Sequence, residues 1–276
     1  LQVARDRARE GGAAAFMIAT GDRIVVADGE VAKPMLLASV RKSLMSALVG
    51  QAIADRTLAL DDPVAKFGLD DDVPLTSAER AATVEDLLTA RSGVYLPTAA
   101  ETASMRAKRP PRGSHRPGTF FYYNNWDFNA LGDLYERATG KSVFLAFDRR
   151  IAQPTCMQDF DPYDDAWYVY NRDAPRFPAY HLRLSARDLL RFGLLYLNDG
   201  VWGSTQVSVD AGWDFPWWAY RYFLAGERPQ VPPLRDSSAK PTFAPPSADA
   251  MRAARTPPEP PPMTNRSKSK GAGFVI

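Results

Sequence analysis

Ala38-Ser39-Val40-Arg41-Lys42-Ser43-Leu44 sets a serine and a lysine three residues apart at the mouth of an apolar run. On a helix, positions i and i+3 share a face, so the Ser39 hydroxyl and the Lys42 amine can converge on one spot. A serine hydroxyl is a weak nucleophile near neutral pH and needs an adjacent base. A lysine amine supplies that base once burial or a second cation lowers its pKa. The spacing by itself is common. Ser237 with Lys240 and Ser267 with Lys270 repeat it, in stretches whose composition does not predict a fold.

Its setting distinguishes the first copy. Upstream, Phe16-Met17-Ile18-Ala19-Thr20, a Gly21-Asp22 turn and Arg23-Ile24-Val25-Val26-Ala27 predict a β-hairpin, with a further turn at Asp28-Gly29. Downstream, Val40, Leu44, Ala47, Leu48 and Ile53 fall at helical spacing and predict a buried stripe. Ser39 then lies at or just inside a helix N-terminus, where backbone N–H groups and the macrodipole favour a developing negative charge.

Outward from this helix, Leu1 to Gly12 reads as a short helix, and Pro63 suits a first turn after Asp61-Asp62. Thr76-Ser77-Ala78-Glu79 carries a capping signal, and Thr83 to Thr89 forms a short helix stopped by Ser92-Gly93. Arg106 to Pro117 is basic, with three prolines, and reads as an exposed, solvated loop. Phe128 to Tyr135 is helical in period and ends at Thr139-Gly140, and Lys141 to Ile151 continues as helix. Asp159 to Pro178 reads as an ordered but irregular excursion. Ser185-Ala186-Arg187-Asp188 opens a helix that runs from Leu189 to Leu197. Apart from the hairpin, the expectation is helix after helix up to about Val201.

The chain has 276 residues, enough for one large domain or two small ones, and a net charge of +2. From Pro229 onward there are seven basic and three acidic residues, so the tail holds +4 and the rest −2. A nucleic-acid or membrane-surface partner would rest on that tail alone, and none is expected. No stretch approaches ~20 consecutive apolar residues, so no transmembrane segment is expected. The single Cys156 excludes an internal disulfide framework and a cysteine-based zinc site, and reads as a small core residue. With only His115 and His181, a histidine-rich metal centre is not expected either. Neither metal nor cofactor is implied. His115 reads as exposed and His181 as packed. About half of the prolines lie beyond residue 228, among Ala, Ser and Arg. Such a segment cannot bury enough apolar surface to offset its ordering entropy. The expected division is therefore a folded unit over 1–228 and a Pro-rich disordered tail over 229–276.

A second candidate is Tyr123-Asn124-Asn125, in an aromatic run from Phe120 to Trp126. A tyrosine beside an ammonium group has a lowered pKa and can relay a proton. An asparagine two residues on can hold a substrate amide or orient the lysine. Tyr196-Leu197-Asn198 has the same spacing but ends an apolar helix. From the residues alone, each candidate keeps a plain alternative. Ser39 can be an ordinary helix-start serine, Lys42 a solvated lysine, Tyr123 a core tyrosine and Asn125 a turn residue.

Taken in order, four segments resemble one family. Ser39-Val40-Arg41-Lys42-Ser43 resembles the nucleophile motif of the serine β-lactamase and penicillin-binding-protein superfamily, in its class C β-lactamase-like branch of esterases and peptidases. Thr83 to Val94 is similar to that family's following helix and Ser-Gly turn. Gly118 to Trp126 resembles its Tyr-x-Asn segment, and Ser185 to Gly193 its later helix. The resemblance covers roughly 14–206. It implies an α+β fold in which an antiparallel sheet with flanking helices adjoins a helical subdomain and the active site lies between them. It also implies Ser39 as acylated nucleophile, Lys42 as its activating partner, Tyr123 as proton relay and Asn125 as a substrate-binding or lysine-orienting group. The Ser39 N–H would form half of an oxyanion hole. The implied substrate is a small ester, amide or lactam. A periplasmic or extracellular setting would suit the family, and the sequence from Leu1, from which a signal peptide could already have been removed, does not itself set the compartment.

One family element is not found. A C-terminal strand bearing Lys/His-x-Gly should supply the other oxyanion N–H, and Lys268-Ser269-Lys270-Gly271 has the letters in another arrangement. Trp217-Trp218 resembles the aromatic strand before that motif. The fold is thus expected to be incomplete at its C-terminal strands. The shift to Pro/Arg/Ala/Ser between Gln206 and Pro229 is what a changed reading frame in GC-rich DNA would give. The alternative function is accordingly a catalytically impaired, truncated or frameshifted homologue that at most binds acyl or peptidoglycan-like ligands.

Overall fold

The computed structural model describes residues 1–21, 23–207 and 273–275. Helix α1 (Gln2–Glu10) leads into β1 (Ala15–Thr20) and β2 (Arg23–Gly29), the hairpin expected from the sequence, with antiparallel partners running from Ala15↔Gly29 to Thr20↔Arg23. A bulge interrupts the register between Ile18 and Ala19. Strand alternation turns Met17 and Ala19 to one face of β1.

Strand β3 (Met35–Leu36) and a 3-10 turn (Ala38–Val40) deliver the chain to α2 (Arg41–Ala54). The expected stripe understates this helix. All twelve residues from Arg41 to Ala52 are buried, polar ones included, whereas Val40, assigned to the stripe, is 44% exposed. Helix α2 runs through the centre of the molecule, so it has no solvent face to generate a periodic pattern.

Short helices follow. A 3-10 turn (Val64–Phe67) starts after Pro63, and α3 (Ser77–Arg80) and α4 (Val84–Leu88) each open with a complete capping box, Thr76 with Glu79 and Thr83 with Asp86. Helix α5 (Ala103–Lys108) was not anticipated. The basic stretch around it is not simply solvated, because Arg109 pairs with Glu101, and Arg112 with the buried Glu79 at 2.7 Å.

Helix α6 (Asn125–Thr139) ends at Gly140 in the left-handed conformation, as the Thr139-Gly140 stop implies. Helix α7 (Val143–Phe147) continues into a π-helical turn (Asp148–Ala152).

The segment Asp159 to Pro178, read as irregular, is largely sheet. Strands β4 (Ala166–Asn171) and β5 (Ala174–Leu184) pair antiparallel from Ala166↔Leu182 to Asn171↔Ala174, and β5 also pairs with β3. The run Trp167-Tyr168-Val169-Tyr170 has strong β propensity, which the flanking prolines and acids obscured. Helix α8 (Ala186–Leu197) begins at Ser185, whose side chain accepts from the Asp188 N–H. The Asp188 carboxylate accepts instead from the N–H groups of Gln158 and Asp159, tying that loop to the helix. Cys156, expected in the core, is partly exposed with φ 57°.

A small hairpin, β6 (Val201–Trp202) with β7 (Thr205–Gln206), follows. Strand β8 (Gly273–Val275), inside the segment expected to lack structure, lies antiparallel to β1. One sheet has the order β2-β1-β8 and a second β3-β5-β4. Met17 and Ala19 pack against Ala186 and Leu190 of α8. The larger core joins α2, α6, α7 and β5 through residues such as Leu44, Leu48, Leu131, Phe147 and Leu182. This is a β-lactamase-like fold of helices and antiparallel sheets. Trp217-Trp218 and Lys268 to Gly271 lie outside the described residues. Among the described residues, no helix is long and apolar enough to cross a membrane.

Candidate active site

Ser39, Lys42 and Tyr123 come together. Lys42 Nζ is hydrogen-bonded to Ser39 Oγ at 3.0 Å and to Tyr123 Oη at 2.8 Å. Ser39 and Tyr123 are partly exposed, while Lys42 is 1% exposed. A substrate can therefore reach the two hydroxyls, with the amine behind them.

Local structure explains the placement. Ala38 takes φ 45°, in the region disfavoured for a residue with a Cβ, and this sharp bend carries the chain from β3 into the 3-10 turn. Ser39 sits within that turn and Lys42 in the first turn of α2, so the i,i+3 pair faces one way.

Tyr123 arrives from the other side, on the segment before α6. That segment lies along 90–93: Gly118 N–H donates to Arg91 O at 2.9 Å and Tyr122 N–H to Ala90 O at 3.1 Å. Gly93, at φ +71°, allows the close approach, since a Cβ there would lie 2.8 Å from His115 O. The Ser-Gly turn, expected to stop the helix, lies beyond the end of α4 at Leu88 and is instead a seat for the tyrosine-bearing loop. His115, expected to be exposed, is half-buried on this loop, with Nδ1 3.1 Å from Tyr95 Oη and its ring stacked on Phe120.

A buried carboxyl, unremarked in the sequence, clamps the loop. Asp127 Oδ1 accepts from Ser92 Oγ at 2.6 Å and from Asn124 Nδ2 at 2.8 Å. Asn124 in turn caps α6 by accepting from the Trp126 N–H. Burial pushes the Asp127 carboxyl well above the usual carboxylate range, against hydrogen bonds from Ser92 that favour its charged form. The sequence signal was available: Asn124 and Asp127 stand three apart, and Asp127 is a lone acid between the aromatic residues Trp126 and Phe128.

Asn125 is buried at the start of α6. Its Nδ2 donates to Ala100 O at 2.8 Å, and its Oδ1 accepts from no group among the described residues. It makes no hydrogen bond to Lys42, so the lysine-orienting alternative has no contact behind it.

Burial is the main cause that holds the Lys42 amine well below its ordinary pKa, with the neighbouring Arg41 charge adding to it. Lys42 has no carboxylate partner among the described residues, only the two hydroxyls and the rings of Tyr123 and Phe128 at 4.7 and 5.1 Å. A neutral lysine in reach of a serine hydroxyl is a base, and a phenol on its other side offers a proton path. A separate cavity of about 260 Å³ between α6 and the β4–β5 hairpin is lined by Asp133, Glu136, Tyr168 and Tyr180 among others, and by none of these three residues. Among the described residues, no group of three or more His, Cys, Asp or Glu is gathered where a metal could be held.

Comparison with known proteins places the chain. The family model described as Beta-lactamase matches residues 3–216. A D-aminopeptidase of Brucella anthropi is 30% identical over 141 residues, which is 45% of this chain and 25% of that protein. The octameric penicillin-binding protein homologue from Pyrococcus abyssi superposes with a TM-score of 0.53 at 19% identity, over 75% of this chain and 57% of that one. The penicillin binding protein from Bacillus halodurans gives 0.54 at 15% identity, over 75% of each. The chain thus spans a quarter of the D-aminopeptidase and little more than half of the Pyrococcus protein. At these identities the two structures establish the fold alone, and with a family match over most of its length the chain belongs to the beta-lactamase family.

Proposed function

We propose that the protein is a serine hydrolase that forms an acyl-enzyme at Ser39 on a small amide, lactam or ester. The observation that carries this reading is one buried amine, Lys42, hydrogen-bonded to both Ser39 and Tyr123. Ser39 Oγ attacks the acyl carbonyl carbon while its proton passes to the neutral Lys42 Nζ. The carbonyl electrons return as the bond to the leaving nitrogen or oxygen breaks, and that atom takes a proton from Lys42 through Tyr123 Oη. Water then attacks the Ser39 ester, its proton moving onto the same Tyr123–Lys42 pair, and the acid leaves as Ser39 regains its hydrogen. The likeness to a D-aminopeptidase favours an amide among the three substrate classes.

A second reading has its own observation. The sequence offers no Lys/His-x-Gly on a C-terminal strand, so half of the oxyanion hole is unassigned. On that reading the chain is a homologue that acquires an acyl group or holds an acyl or peptidoglycan-like ligand without turning it over. Intact mass after incubation with a fluorescent penicillin and with a p-nitrophenyl ester, alongside p-nitroanilide release from D-alanine p-nitroanilide, separates the two. The enzyme reading expects an adduct absent from Ser39→Ala together with turnover. Adduct without turnover supports the second reading, and neither adduct nor turnover in folded protein rejects the first.

A further inference from the structure

Arg41 is 2% exposed and has no carboxylate partner among the described residues. Its Nη2 donates to Asn129 Oδ1 at 3.3 Å, its Nη1 is buried and donates to no group among the described residues, and its Cζ lies 4.4 Å from the Tyr180 ring centroid. A guanidinium cannot shed its proton in a protein, so the charge stays at every accessible pH. Burying such a charge without an anion is costly, and a single neutral acceptor and an aromatic face return only part of that cost. The next residue in the chain is Lys42.

We propose that Arg41 is a positioning residue whose fixed buried charge, acting with the burial of Lys42, favours the uncharged amine that takes the Ser39 proton. The role in acylation rests on the proposed function; the electrostatic link between the two side chains does not. The groups facing Lys42 are few. Among the described residues they are the Ser39 hydroxyl in the 3-10 turn, the Tyr123 phenol before α6 and the uncharged Phe128 ring on α6, with Arg41 the preceding residue on the same buried helix. Asn129 and Tyr180, which hold Arg41, are both neutral. The set contains no carboxylate, so none of these described groups cancels the guanidinium field. On β5, His181 lies under the same guanidinium charge: burial first, then Arg41, lower its pKa. A lysine at position 41 would not serve, because a buried amine can escape the cost by losing its proton.

The test titrates Lys42 by 13C NMR of lysine-labelled full-length protein, and His181, one of only two histidines, by 1H NMR. Arg41→Gln removes the charge. Asn129→Asp keeps the arginine and sets a carboxylate against it, so the inference survives a failure of the first variant to fold. Both groups are expected to titrate at higher pH in both variants. The rate of fluorophosphonate labelling at Ser39 should fall about tenfold on its acid limb and recover at alkaline pH. A merely structural Arg41 would slow labelling at every pH and leave the two titrations in place, which would overturn the proposal. Shifted titrations without labelling of the wild type would reject the acyl-enzyme reading and leave the Arg41–Lys42 link standing.

Discussion

Replacing Lys42 by methionine separates what this side chain costs the fold from what it does in the site. The amine is buried and held well below the ordinary lysine value of 10.5, first by burial and then by Arg41. Between the depressed folded pKa and 10.5, the unfolded chain binds one proton that the folded chain does not. Stability therefore rises with pH through that window, by about 1.4 kcal/mol per pH unit for one proton, and is flat on either side. Methionine has similar length and no proton to bind, so Lys42→Met lacks this slope. Subtracting the two stability curves cancels the groups they share. The difference should favour the methionine variant by about 1.4 kcal/mol more for each unit the pH is lowered from 10.5, until it levels at the folded pKa. Well above the window the exchange is nearly neutral, since two hydrogen bonds worth about 1 kcal/mol each are traded for apolar packing. Urea denaturation of both proteins at half-unit steps from pH 7 to 11 measures the difference directly. Parallel curves would refute the reasoning, because they would mean that Lys42 holds its proton equally in both states. The same variant should lose Ser39 labelling by at least about a hundredfold. A more stable and less reactive protein is the expected signature.

Three other changes probe the surroundings. Tyr123→Phe keeps the ring and removes the phenol hydrogen-bonded to Lys42, so labelling should drop roughly a hundredfold while the urea midpoint stays within about 1 kcal/mol. Asp127→Ala strips the buried partners of Ser92 and Asn124. It should cost about 3 kcal/mol in urea denaturation, and protease cleavage should appear first in the 109–123 segment. Gly132→Ala would put a Cβ 2.9 Å from Tyr180 Cδ1. A destabilisation of about 1–3 kcal/mol is expected, although alanine is the better helix former, and a gain in stability would show that the Tyr180 ring is free to move.

Features set by local chemistry were legible in the sequence. The β1–β2 hairpin followed from two β-rich runs and a turn, and the Thr76 cap from a spacing within four residues. Features set by tertiary surroundings were not. The strand Ala174–Leu184 carries Pro175 and Pro178, and it is recognisable only once β3 and β4 lie beside it. The burial of α2 on every side depends on α6, α7 and β5 closing round it, and no periodicity announces that. Within the site, spacing and order brought Ser39, Lys42 and Tyr123 to notice. The lowered pKa of the lysine amine comes first from burial and then from Arg41, and spacing along the chain announces neither. Asn125 drew notice by its spacing from Tyr123, but the direction of its amide toward Ala100 O was not legible.

The central claim is that Ser39 is the acylated atom and Lys42 its base. Peptide mapping after fluorophosphonate labelling at several pH values tests it most directly. The account predicts a single modified serine, Ser39, labelled at a rate that rises with pH through a limb absent from Lys42→Met. Modification at Ser43, at Ser92 or in the tail, or a Ser39 rate indifferent to both pH and the loss of Lys42, would contradict it.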